Sequence, residues 1–104
     1  MTATVIVQPE AEADMAEAFA WYERRVSGLG HDFLTEVDRA IERIADAPLL
    51  AAAIHRDARR AIPRRFPYAI YYILRGETVF VIAVLHQRRN PSLVRARSAD
   101  LRDE

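Results

Sequence analysis

Cysteine and lysine are both absent from this chain of 104 residues. Without cysteine there is no disulfide, no thiolate metal ligand and no cysteine nucleophile, a composition that suits the reducing cytoplasm, where we expect the protein to reside. The three glycines form neither a GxGxxG nor a GxxxxGK[ST] phosphate loop. The longest apolar run, Val79 to Leu85, has seven residues, whereas a membrane span needs about 20. The first residues show no basic segment followed by an apolar one, so we expect no secretory signal.

The net charge is zero, but the two signs are separated along the chain. Residues 1–52 carry ten acids and four bases, a balance of −6. Residues 53–104 carry five acids and eleven bases, a balance of +6, and every base is arginine. A basic C-terminal half predicts a cationic surface for phosphates or for an acidic partner.

Two amphipathic helices are predicted near the N-terminus, over residues 10–26 and 31–47. Apolar side chains recur in both segments at three- and four-residue spacing. Pro9 suits the first turn of one helix, and Pro48 ends the other. The short Ser27–Gly30 connection predicts that the two helices form an antiparallel hairpin.

Strands are predicted on both sides of this hairpin. Thr4–Val7 is short and β-branched, whereas Tyr68–Leu74 and Thr78–His86 are long and apolar and are joined by a glycine-containing loop. Residues 60–62 are a candidate short strand, and a single helical turn is expected after Pro91. The order predicts one α+β domain over residues 1–104, with a three- or four-stranded antiparallel sheet, the helical hairpin on one face and a flexible tail from about residue 98.

The last predicted strand is apolar on both sides, although two helices cover only one face of a sheet. The other face is covered either by the chain's own tail or by another protein. In the second case the partner-facing side chains are Phe80, Ile82 and Val84, on the assumption of strict alternation.

One cluster of residues can carry chemistry. Antiparallel pairing of the last two strands brings the segment before Tyr68 close to the end of the final strand. Arginine is a bidentate donor to phosphate, and His86 is either a general acid or base or a structural strand-end residue. The arginines alternatively pair with the acidic helices. The cluster consists of Arg64, Arg65, His86, Arg88 and Arg89. Its four arginines, together with Arg95 and Arg97 of the last segment, are the candidate target- or phosphate-binding residues, and the only catalytic candidate is His86.

Other catalytic and metal signatures are missing. His31, His55 and His86 lack metal-ligand spacing, and no serine sits in a nucleophile elbow. We therefore expect no metal and no cofactor.

Four segments in series resemble the ParE branch of the RelE/ParE toxin superfamily. The first helix of that branch resembles Pro9 to Asp14 followed by Trp21 to Glu23, and its second helix resembles Gly30 to Phe33 with the apolar positions that follow up to Pro48. Its strand with the pattern FPY-x-I-x-Y is similar to Arg64 to Tyr72. Its ending, H-x-R-R-x-P followed by arginine, is similar to His86 to Pro91 with Arg97.

The resemblance implies a small growth-arresting α+β toxin of a plasmid-stabilisation type, encoded beside an acidic, partly disordered antitoxin that binds it in a hetero-oligomer. ParE-type members act on DNA gyrase, whereas RelE-type members are ribosome-dependent mRNA endonucleases with sites rich in lysine and arginine. The absence of lysine, and of tyrosine after Tyr72, favours a gyrase inhibitor that is not an enzyme. The alternatives are an endoribonuclease built on His86 and an inactive member that only binds an antitoxin.

Overall fold

The computed structural model describes residues 2–89 and 91–102. Asn90, within the H-x-R-R-x-P motif, lies outside the described residues. The elements in chain order are β1 (Thr4–Val7), α1 (Pro9–Arg25), α2 (Leu29–Asp46), β2 (Ala53–His55), β3 (Ala58–Ala61), β4 (Tyr68–Arg75), β5 (Thr78–His86) and α3 (Ser92–Arg102). The α+β class is confirmed, as are the helical hairpin and the β4–β5 hairpin.

The α1–α2 hairpin begins and ends within two residues of the predicted bounds. Pro9 occupies the first turn of α1, where its missing N–H costs no hydrogen bond. Between the helices Gly28 adopts a left-handed backbone with φ of 89°, a conformation that side chains with a Cβ disfavour. Within residues 2–89 and 91–102, every helix is too short or too polar to span a lipid bilayer.

The sheet has five strands in the order β1-β5-β4-β3-β2, so the prediction of three or four antiparallel strands is corrected. Strand β1 lies parallel to β5, and the remaining pairs are antiparallel. A lone β-branched segment indicates a strand but not its partner, because pairing between the two ends of a chain leaves no local signal. Strand β3 begins two residues before the candidate segment 60–62, and β2 falls where no strand was predicted.

Strand β5 contains a bulge at Ile82. Tyr71 pairs with Ala83 and Tyr72 pairs with Val81, so Ile82 is an extra residue opposite β4. Before the bulge Val79 and Val81 face the helical hairpin, but after it Val84 does so. Ile82 and Ala83 both face the opposite side. The strict alternation assumed from the sequence is therefore wrong beyond Val81.

Helix α3 covers the sheet face opposite the hairpin. Its Val94 and Leu101 pack in a second core with Ile82 and Leu85 of β5, and Phe80 packs against the edge of that core. The single helical turn expected after Pro91 is an eleven-residue helix. Residues 98–102, predicted as a flexible tail, form its last turns, and Ser98 and Leu101 are buried. The face predicted to be either self-covered or open to a partner is thus self-covered.

The two-sided core predicts a large cost for truncating β5. Ile82 is 2% exposed, so Ile82→Ala should lower the free energy of unfolding by about 2–5 kcal/mol, because it leaves a cavity beneath α3. Ile6 of β1 is 44% exposed and serves as the control, for which Ile6→Ala should cost about 1 kcal/mol or less. Urea denaturation measures both, and equal costs would contradict the assignment of Ile82 to a core.

The turn between α1 and α2 predicts a pH dependence of stability. The Glu23 carboxylate accepts hydrogen bonds from the Gly28 N–H at 3.2 Å and the Gly30 N–H at 2.8 Å. The Gly28 N–H holds the pKa of Glu23 below its ordinary value, partial desolvation opposes this, and the Gly30 N–H adds to the lowering.

A lowered folded-state pKa contributes stability that is present above the unfolded-state value and is lost as the pH falls through the folded-state value. Glu23→Gln should therefore destabilise the protein more at pH 7 than at pH 3, as measured by denaturant unfolding at both pH values. The exposed Glu42 provides the control Glu42→Gln, which should show no such difference.

Candidate functional site

A cleft opens between α1 and the adjoining ends of β4 and β5, and its volume is about 480 Å³. Strand pairing of Tyr68 with His86 brings the start of β4 to the end of β5, and α1 forms the other wall. Acids, bases and aromatic rings therefore meet at one end of the sheet. The lining residues are Asp14, Glu17, Ala18, Trp21, Tyr22, Arg24, Pro67, Tyr68, Val84, Leu85, His86 and Arg89.

His86 lies in this cleft, with its ring edge-on to Tyr68 at a centroid distance of 5.6 Å. Its Nδ1 accepts a hydrogen bond from the Arg88 backbone N–H at 3.1 Å. A neutral imidazole that accepts at Nδ1 carries its proton on Nε2, so the ring nitrogen left for a ligand is a donor. In this geometry His86 offers a ligand a hydrogen-bond donor at Nε2, while its acceptor nitrogen is already used by the Arg88 backbone.

Tyr68 and Glu17 line the cleft together with His86, although neither is among the predicted site residues. Burial raises the pKa of the Tyr68 phenol above its ordinary value, the Glu17 carboxylate raises it further, and Arg89 acts in the opposite direction. Burial also raises the pKa of Tyr22, and the neighbouring Tyr68 adds to the effect. Both phenols therefore remain protonated at neutral pH. The hairpin register itself is the signal that places Tyr68 beside His86.

The arginines at this end of the sheet are exposed. The Gln87 N–H donates to the Pro67 carbonyl at 2.9 Å, which ties the Arg64–Arg65 loop to the segment that carries Arg88 and Arg89. These four residues therefore lie on neighbouring segments at one end of the molecule, and their binding of a target stays a prediction. Of these four, Arg89 alone lines the cleft, where Arg24 of α1 is the other arginine.

Arg65 is directed towards α2. Its Nη2 lies 3.7 Å from the Asp32 carboxylate, and both side chains are more than half exposed. Its guanidinium also lies over the Phe66 ring, 5.3 Å from the centroid. Such an exposed ion pair contributes little to stability, so Arg65 remains available to a partner.

Arg97 does not belong to the exposed cluster, which corrects its predicted role. Its guanidinium makes two contacts with the Asp14 carboxylate, at 2.6 and 3.2 Å, and also donates to the Ile82 carbonyl at 3.0 Å. The two side chains are 16% and 10% exposed. Arg95, on the same helix, is exposed on α3 and is separate from the cleft.

The three side chains predicted to face a partner are placed differently. Val84 is 1% exposed and packs on the hairpin side because of the bulge. Ile82 is buried beneath α3, and Phe80 is half-buried at the edge of the same core. The isolated chain therefore does not present them as an open apolar face.

The site contains no metal-binding constellation within residues 2–89 and 91–102. No three histidine, aspartate or glutamate side chains there lie close enough together to hold an ion. The chemistry that the cleft offers is hydrogen-bond donation from His86 and the two phenols, with charge from Glu17 and the arginines.

Comparisons with known proteins agree with this architecture. A chain from the chromosomal ParDE TA system from P. aeruginosa has the same fold, with a TM-score of 0.73 at 10% identity over 82% of this chain and 96% of that one. Toxin ParE2 from two strains of Mycobacterium tuberculosis, CDC 1551 / Oshkosh and ATCC 25618 / H37Rv, is 30% identical over 97 residues, 92% of each chain.

The family of the chain is given by its match to a protein-family model. Residues 5–91 match the model of the ParE toxin of type II toxin–antitoxin systems, parDE. The chain therefore belongs to the ParE toxin family, as its motifs indicate.

The Asp14–Arg97 ion pair predicts strong energetic coupling. Removing one partner leaves the other charge buried, so Asp14→Ala and Arg97→Ala should each cost about 3–5 kcal/mol, with a coupling energy of about 1–3 kcal/mol in a double-mutant cycle. The exposed Asp32–Arg65 pair is the control, with a coupling of about 0–1 kcal/mol. Denaturant unfolding measures both cycles, and equal coupling would show that the pair does not hold the fold.

Proposed function

We propose that this protein is a ParE-like toxin that inhibits DNA gyrase in the cytoplasm and is neutralised by a cognate antitoxin. Membership of the ParE toxin family supports the toxin role. The gyrase target rests on the ParE resemblance of the motifs and on the chemistry of the cleft. The antitoxin partner rests on the family and on the ParDE system of the structural neighbour.

The observation that carries the proposal is the exposure of the two arginines that follow β5. Arg88 and Arg89 are exposed and form no ion pair among the described residues, so they are available to a large partner. His86 uses Nδ1 to hold the backbone of Arg88. That arrangement orients an arginine-bearing segment and does not present a general base at the imidazole. A surface of this kind suits binding to another protein better than proton transfer.

The cleft also favours a second candidate, an endoribonuclease. RNA cleavage by the 2′-hydroxyl needs a base, an acid and charge stabilisation at the phosphate. Glu17 can supply the base and Arg89 the charge, and both line the cleft with His86. His86 supplies the acid only as an imidazolium, which gives up the hydrogen bond that Nδ1 accepts from the Arg88 N–H. His86 alone is predicted from the sequence as a proton-transfer group near the arginines, and the cleft adds Glu17.

The deciding experiment compares gyrase supercoiling with ribosome-dependent mRNA cleavage. The proteins are wild type, His86→Ala, Glu17→Gln, Arg88→Ala, Arg89→Ala and the double arginine variant. We expect wild type to inhibit supercoiling and to leave mRNA intact. Replacing both arginines should raise the concentration for half-inhibition at least about tenfold. Glu17→Gln should still inhibit, because a gyrase inhibitor needs no base.

Arg75→Ala is the matched control, because Arg75 is exposed at the opposite end of the β4–β5 hairpin. It should inhibit like wild type. Cleavage of mRNA that disappears in both His86→Ala and Glu17→Gln, with supercoiling untouched, would replace the proposal with the nuclease. Neither activity, together with no growth arrest on expression, would leave an inactive member that only binds an antitoxin.

A further inference from the structure

An apolar groove lies between α2 and β3, away from the cleft. Its volume is about 350 Å³, and Tyr72 lies among its walls. Leu50 is 86% exposed and Ile62 is 43% exposed, and both line it. Leu49, next to Leu50, is 65% exposed. Large apolar side chains grouped on a surface in this way mark a site for a partner.

Side-chain hydrogen bonds to its backbone carbonyls fix the loop that carries Leu49 and Leu50. The Tyr72 hydroxyl donates to the Pro48 carbonyl at 2.6 Å. Arg59 Nη1 donates to the Ala51 carbonyl at 2.6 Å and to the Leu49 carbonyl at 3.4 Å. The backbone on either side of Leu50 is therefore fixed, while its side chain points away from the core. A binding surface that is already ordered loses little entropy when a partner docks.

The charge of the groove identifies what it can bind. Arg43 and Arg60 are among its lining residues, and none of those residues is acidic. A partner must therefore supply apolar side chains for Leu50 and Ile62, and carboxylates for the two guanidinium groups. A second copy of this chain fits poorly, because a two-fold contact through the groove brings Arg43 and Arg60 towards their own counterparts.

We propose that this groove is the docking site for an acidic, amphipathic segment of the antitoxin. The proposal rests on the proposed function, since it names the surface through which that partner binds. Helix α3 covers the sheet face that the sequence offers as a partner surface, so we assign the partner to the α2–β3 groove instead. A segment that folds on binding would place its apolar side in the groove and its carboxylates towards Arg43 and Arg60.

The test uses the full chain and, as the probe, the purified protein encoded by the reading frame adjacent to its gene. Isothermal titration calorimetry compares wild type with Leu50→Ser and with the double variant Arg43→Glu/Arg60→Glu. Each should weaken binding at least about tenfold. The charge variant should also lose most of the salt dependence of the association rate between about 50 and 500 mM salt.

Two variants provide matched controls. Val26→Ser removes another exposed apolar side chain, 59% exposed at the end of α1, and Arg75→Glu reverses an exposed charge at the β4–β5 turn. Both should bind the probe like wild type. Circular dichroism melting confirms that each variant is folded, and Leu50→Ser should melt like wild type because Leu50 is exposed.

The outcomes separate this inference from the proposed function. If wild type binds the probe and both groove variants bind it equally well, the groove is not the docking site, and the antitoxin partnership stands. If wild type does not bind the probe, the partnership fails and the inference fails with it. If sedimentation velocity shows a wild-type dimer that Leu50→Ser dissociates, the groove holds a second copy, and the inference is overturned.

Discussion

The ion pair between Asp14 and Arg97 closes the one part of β5 that no strand covers. Strand β1 pairs with β5 only as far as Val81, so the outer edge of β5 is unpaired from Ile82 onward. Asp14 accepts a hydrogen bond from the Val84 N–H at 3.0 Å, and Arg97 donates to the Ile82 carbonyl. Two side chains thus satisfy two of the backbone groups that β1 leaves open, and their mutual contact joins α1 to α3 around the edge of the sheet.

The same edge determines the composition of the cleft. The bulge at Ile82 reverses the alternation of β5, so Val84 faces the hairpin and His86 lines the cleft with α1. With regular alternation both side chains would face α3. The histidine thus shares a cleft with Glu17 and Tyr68 because of a bulge four residues earlier in β5, which Asp14 and Arg97 hold in place.

The sequence predicted the parts of the fold that local patterns encode. Helical periodicity located α1 and α2, and two long apolar segments on either side of Gly76 located the β4–β5 hairpin. Three features escaped for different physical reasons. The β1–β5 pairing is non-local. In α3 the apolar positions, among them Val94 and Leu101, are interspersed with arginines, so the helical periodicity is hard to recognise in the sequence. The bulge is not visible in the sequence, because every position from Val79 to Leu85 is apolar.

The candidate site divides in the same way. Arg64, Arg65, Arg88 and Arg89 were grouped correctly, because antiparallel pairing alone brings their segments together. Arg97 was misassigned, since an arginine that bridges two elements looks in sequence like any other arginine. Glu17 was missed because its place in the cleft depends on the packing of α1 over the strand ends. Tyr68 was missed although the register of the predicted hairpin pairs it with His86.

The separation of Asp14 and Arg97 by 83 residues bears on synthesis of the chain. Domains fold as the chain is made, N-terminal parts first. The α1–α2 hairpin can form early, but β1 must wait for β5, and Asp14 must wait longer still for α3. Until then the second sheet face and the outer edge of β5 are both uncovered. The nascent chain therefore completes its second core only after α3 emerges from the ribosome.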